Sequence, residues 1–123
     1  MITRPAKTMI EVFQRINYAP NIVFEDAFEI KPTDYEKVAE IDSNSLGDAW
    51  NLTQNNDRDW TKNKHVKYLV KAPDCRSTSI GDVFSINGQL EMVMPLGYVS
   101  LNWGDKISFF SSVQKIANQK IDD

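Results

Sequence analysis

Arg76-Ser77-Thr78-Ser79-Ile80-Gly81-Asp82, continued by Val83-Phe84-Ser85-Ile86, Asn87-Gly88 and Gln89-Leu90-Glu91-Met92-Val93-Met94, is the stretch whose reading decides the fold. Asn and Gly both tolerate positive φ, which the central residues of a two-residue type I′ hairpin loop require. The runs flanking Asn87-Gly88 therefore pair, with Ile86 opposite Gln89, Phe84 opposite Glu91 and Val83 opposite Met92. Neither face of this pair is cleanly polar, so both faces are expected to be partly covered. Gly81-Asp82 reads as the turn that launches the first strand, with the hydroxyls of Ser77, Thr78 and Ser79 free to bond local backbone. Pro95 ends the second strand, and Gly97 allows a bulge or reversal before Tyr98-Val99-Ser100-Leu101.

Working outward, Met9-Ile10-Glu11-Val12-Phe13-Gln14 reads as a first strand and residues 22–30 hold a second. Thr33 stands three residues before Glu36 and directly after Pro32, the spacing of a capping box, which predicts a helix over residues 34–41 with Tyr35, Val38, Ala39 and Ile41 as its apolar stripe. One or two further helical turns start at Ser45, where Leu46, Ala49, Trp50 and Thr53 share a face, although Gly47 weakens them by ~1 kcal/mol relative to Ala. Val66-Lys67-Tyr68-Leu69-Val70 has strand character. Ile107, Phe110, Val113 and Ala117 recur at helical spacing behind Asp105 as cap, and a polar tail follows from about residue 118. The expected class is α+β, a small bent antiparallel sheet or partly open barrel with two or three helices, in one domain spanning residues 1–123.

The combination of Arg76-Ser77-x-Ser79-x-Gly81-Asp82, a strand-turn-strand and a Gly-aromatic pair resembles small accessory proteins of phages, plasmids and other mobile elements. Several of these are similar upstream too, in a segment like Trp50-Asn51-Leu52-Thr53-Gln54-Asn55 and a nearby Trp like Trp60, so the likeness covers residues 46–101. The chain departs from that pattern at Pro95-Leu96-Gly97-Tyr98, where a more compact aromatic-Gly-aromatic is usual, and after Trp103. The resemblance implies a mobile-element accessory protein and brings no catalytic residue or cofactor to carry over.

Composition narrows the class. Hydrophobic residues at 41% and charged residues at 25% are those of a globular domain with a real core. No apolar run is long enough to cross a bilayer, and Met1-Ile2-Thr3-Arg4-Pro5 does not open a signal peptide, so the expected setting is cytoplasmic, the host cytoplasm if phage-encoded. A single cysteine, Cys75, excludes an intramolecular disulfide and suits a reducing compartment. The net charge of −3 is unevenly spread, acids prevailing before residue 55 and cations over Arg58, Lys62, Lys64, Lys67, Lys71 and Arg76. That balance announces neither a nucleic-acid binder nor an acidic mimic of nucleic acid.

Candidate chemistry is sparse. His65 and Cys75 lack zinc-site spacing and a further ligand pair, so no metal and no cofactor is expected; a Cys-His nucleophile pair is formally available, against which Cys75 reads as core edge and His65 as exposed. Arg76 with its serines could hold a phosphate group, as in a small enzyme acting on a phosphorylated ligand; alternatively Arg76 pairs with a carboxylate such as Asp82 and the serines organise the turn. Trp60 with Arg58, Lys62, Lys64 and Lys67 could bind single-stranded nucleic acid by stacking and phosphate contact, or Trp60 could fold inward as an anchor. No catalytic residue is assigned. The favoured expectation is a binding protein without membrane contact that engages a host protein and interferes with a host defence or regulatory system, with Trp60, Arg76 and Tyr98 as the binding residues; nucleic acid is the alternative partner.

Overall fold

A computed structural model of the chain describes residues 9–17, 28–56, 59–71 and 75–107. Its centre is a six-stranded antiparallel sheet built from β1 (Met9–Arg15), β3 (Tyr35–Asp42), β4 (Val66–Tyr68), β5 (Val83–Ile86), β6 (Gln89–Val93) and β7 (Tyr98–Leu101), in the order β4-β3-β1-β5-β6-β7. A separate two-stranded ribbon pairs β2 (Phe28–Glu29) with β8 (Lys106–Ile107). The helix α1 (Leu46–Leu52) and two 3-10 turns, Pro32–Asp34 and Trp60–Lys62, complete the described elements.

The hairpin forms as its turn chemistry requires. Asn87 and Gly88 have φ of 52° and 81°, and the register sets Ile86 against Gln89, Phe84 against Glu91 and Val83 against Met92. Side chains alternate between faces, so Val83, Leu90 and Met92 enter one core with Tyr35, Ile30, Leu101 and Ile107, while Phe84 and Val93 enter another with Ile10, Val12, Ala39, Ile41, Ala49 and Trp60. The sheet is thus buried on both faces, one beneath the β2–β8 ribbon and Trp103, the other beneath α1, the Trp60 turn and the segment following β4.

The α+β expectation with two or three helices is corrected: among the described residues the chain is mostly antiparallel sheet with one seven-residue helix. The predicted helix over residues 34–41 is strand β3. Its apolar residues at 35, 38 and 39 imitate helical spacing because the β1–β3 register shifts between Val12 and Phe13, where Val12 faces Ala39 and Phe13 faces Lys37. Val38 is the extra residue of that bulge, so Val38 and Ala39 both enter the second core while Tyr35 enters the first, and burial on both faces together with one inserted residue yields i, i+3, i+4. Thr33 is exposed within a 3-10 turn that has no side-chain cap. The turns from Ser45 do form: Ser45 Oγ accepts from Asp48 N at 3.3 Å, and Ala49 is buried. Of the predicted terminal helix only the start can be placed. Ile107 belongs to β8, Asp105 Oδ2 accepts from Asn102 N in a turn, and Trp103 packs against Phe13 and Tyr35 at ring distances of 5.8 and 5.5 Å. The rest of that helix, the polar tail and most of the predicted second strand lie outside the described residues.

Candidate functional site

The Arg76–Asp82 motif is a structural hub. The Asp82 carboxylate, fully buried, receives both terminal nitrogens of Arg76, Nη1 on Oδ2 at 2.6 Å and Nη2 on Oδ1 at 2.8 Å. Two backbone donors complete its shell, Arg15 N at 2.9 Å and Ser79 N at 2.8 Å. Arg76 also donates to the carbonyls of Arg15 and Ser77. The arginine fork that could have held a phosphate group therefore holds a carboxylate of its own chain, and in doing so ties the end of β1 to the turn before β5.

The two halves of the sequence pattern meet in one layer. The indole N–H of Trp60, a fully buried residue, donates to the carbonyls of Cys75 and Arg76 at 3.1 and 2.9 Å. Asn55 donates from its backbone to Ser77 Oγ at 2.7 Å and from its side chain to the Cys75 carbonyl, Gln54 donates to the Thr78 carbonyl, and Thr78 N donates to the Thr53 carbonyl. Residues 53–55 and Trp60 thus provide the hydrogen bonds that a further sheet strand would otherwise supply to residues 75–78.

Beside the hub a cleft of about 230 Å³ opens, lined among others by Gln14, Glu36, Tyr68, Cys75 and Arg76. The Cys75 thiol donates to Gln14 Oε1 at 3.1 Å, and burial pushes its pKa above the ordinary thiol value. Tyr68 is pushed up to about 12, mainly by burial and then by its neighbour Cys75. At neutral pH both groups are protonated donors, and this thiol has none of the lowered pKa that marks a nucleophile. His65 lies elsewhere, its Nδ1 3.8 Å from Asp42 Oδ2, so the structure does not bring the Cys-His pair together. No group of three or more His, Cys, Asp or Glu side chains capable of holding a metal is found among the described residues.

A second cleft, about 220 Å³, lies at the other end of the same sheet face and is lined by Trp50, Val93, Met94, Pro95, Gly97 and Tyr98. Val93 and Met94 form its buried floor, and Trp50 and Tyr98 are half-buried. The Tyr98 hydroxyl donates to the Leu46 carbonyl at 3.2 Å and its ring sits 6.2 Å from Phe84, so packing fixes the ring, and burial raises its pKa. Gly97, with φ of 76°, makes the reversal that returns the chain to β7, and the adjacent Leu96 is 53% exposed. The indole N–H of Trp50 is neither buried nor hydrogen-bonded among the described residues.

Of the residues expected to bind a partner, Tyr98 lines this cleft, Arg76 is committed to Asp82, and Trp60 has no accessible surface. Trp60 as an exposed anchor or stacking ring is therefore corrected to the inward-folded alternative, a core residue that supplies the donor for the Cys75 and Arg76 carbonyls. Lys62, Lys64 and Lys67 are exposed, with Lys67 directly across from Glu40, and Arg58 lies outside the described residues. Sequence reasoning assigned Trp50 to the core and missed its outer edge. The signal was present at Pro95-Leu96-Gly97-Tyr98, a strand-ending proline and a reversing glycine before an aromatic residue, where the cleft forms. No helix among the described residues is long and apolar enough to cross a membrane. Comparison of the chain with protein-family models, curated proteins and solved structures gives no match.

Proposed function

We propose that the chain is a non-enzymatic accessory protein of the phage or mobile-element type, working in the host cytoplasm by binding a host protein through the Trp50–Tyr98 cleft. The observation that carries this reading is the cleft itself: two half-buried rings over an apolar floor, one of them with an unused donor, next to an exposed leucine. Interface energy concentrates in such aromatic anchors, with polar surroundings adding complementarity rather than affinity. The host origin of the partner, and interference with a defence or regulatory system as its consequence, rest on the resemblance of residues 46–101 to mobile-element proteins. The test is affinity capture from nuclease-treated host lysate with wild type, Trp50→Ala, Tyr98→Ala and Leu96→Asp, each checked for folding by circular dichroism. A reproducible host protein lost with the cleft variants, at ~2 kcal/mol for a central anchor, is the expected result; equal capture by all three folded variants removes the assignment.

A second reading keeps single-stranded nucleic acid as partner through the exposed Lys62, Lys64 and Lys67. With Trp60 buried it predicts a charge-driven contact, visible as oligonucleotide anisotropy that falls steeply with salt and on reversing these lysines. Absence of binding at low salt ends it.

A further inference from the structure

The protein-binding reading leaves open what kind of segment the cleft accepts, and its chemistry is selective. We propose that the Trp50–Tyr98 cleft takes a proline-containing segment in the polyproline II conformation that carries a Lys or Arg, an inference that rests on the protein-binding reading above. A polyproline II chain makes no internal hydrogen bonds, so its carbonyls stay available to a donor on the receptor. The indole N–H of Trp50, without a hydrogen-bond partner among the described residues, is such a donor on a residue that lines the cleft with Tyr98 and Pro95. Aromatic-lined grooves of this kind suit pyrrolidine rings, which pack against flat faces and arrive with little conformational entropy left to lose. At about 220 Å³, with six lining residues, the cleft is one or two side chains long, too short for the successive anchors of an amphipathic helix.

Charge supplies the second half of the specificity. The segments that build this end of the molecule lie between Lys37 and Arg58 and between Arg76 and Lys106, and neither interval contains a Lys, Arg or His. Glu91 faces Ser100 two cross-strand pairs beyond Val93 and Tyr98, on the same sheet face, with its carboxylate held by the Ser100 hydroxyl at 2.5 Å. Asp48 adds an exposed acid on α1. A cationic residue flanking the prolines thus meets the Glu91 carboxylate, which repels an acidic segment.

The probes are a short polyproline peptide ending in arginine, the same peptide ending in glutamate, and a length-matched Thr/Val peptide that adds to sheet edges. They are titrated into the full chain while the Trp50 indole resonance and tryptophan fluorescence are followed. The expected result is that the arginine peptide binds at roughly sub-millimolar to millimolar Kd and about tenfold tighter than the glutamate peptide. Trp50→Phe, which keeps a ring and loses the donor, is expected to weaken binding about tenfold, and Glu91→Lys to abolish the preference for arginine. The inference is overturned if no polyproline peptide shifts the Trp50 signal at millimolar concentration, if the Thr/Val peptide binds best, or if folded Trp50→Phe and Glu91→Lys both bind as wild type does. Capture of a host protein that depends on the cleft, without polyproline binding, overturns this inference and spares the proposed function. Peptide binding as expected, with no host protein captured, supports the inference and counts against the host-protein reading.

Discussion

Asp82 carries more of this fold than any other polar residue described. It is fully buried, accepts two bonds from Arg76 and two from backbone amides, and connects β1, Arg76 and the turn before β5. Replacing it by Ala leaves the Arg76 guanidinium facing the buried site without its counter-ion, so Asp82→Ala is expected to cost ~3 kcal/mol or more in urea denaturation; a loss below ~1 kcal/mol would show that Arg76 finds water instead. Gly88→Val probes backbone conformation alone, because nothing lies within 4 Å of a Cβ built there while φ is +81°. The expected loss is ~1 kcal/mol or more, and an unchanged midpoint would mean that the turn relaxes at no cost. Tyr68 and Cys75 make stability fall at alkaline pH, because both are raised in the folded state. The contribution of the neutral Tyr68 phenol is complete below the ordinary phenol value near 10 and is lost as pH rises towards about 12. Burial raises Tyr35 and Tyr98 as well, so phenolate absorbance should show several tyrosines ionising late, with Tyr68→Phe removing the step near 12.

At the level of elements, the lesson of β3 is that a bulge can counterfeit a helix. Tyr35, Val38 and Ala39 present i, i+3, i+4 spacing behind a Thr-x-x-Glu pair, and only the pairing of β1 on one side and β4 on the other reveals the strand. Two caps separate the alternatives. Ser45 caps α1 and Thr33 caps nothing, so Ser45→Ala should lower stability by ~1 kcal/mol while Thr33→Ala leaves it unchanged. Equal losses in thermal melts of the two variants would restore a capping role to Thr33.

For the whole molecule, the decisive relation is between segments distant in sequence. Residues 53–55 and Trp60 on one side and residues 75–78 on the other satisfy each other's polar groups, so perturbations on either side should be coupled. Trp60→Phe removes the donor shared by the Cys75 and Arg76 carbonyls and is expected to cost ~2 kcal/mol. A double-mutant cycle between Asn55→Ala and Ser77→Ala should give a coupling of ~0.5 kcal/mol or more, whereas additive losses would mean that the two segments merely lie side by side.

Local rules account for what was legible in the sequence. Asn87-Gly88 dictated the hairpin and its register because a two-residue loop leaves no freedom in the pairing, and Ser45 dictated the start of α1 because its side chain meets an amide three residues on. The pairing of Arg76 with Asp82 was legible as an alternative for the same reason, six residues apart in one turn-rich segment. The strand state of β3, the burial of Trp60 and the exposed edge of Trp50 were decided by tertiary structure. Each depends on a partner far along the chain: β1 opposite β3, the Cys75 and Arg76 carbonyls above Trp60, the reversal at Gly97 beside Trp50. Spacing records which residues are apolar; which of those surfaces are covered depends on segments that meet only when the sheet has closed over them.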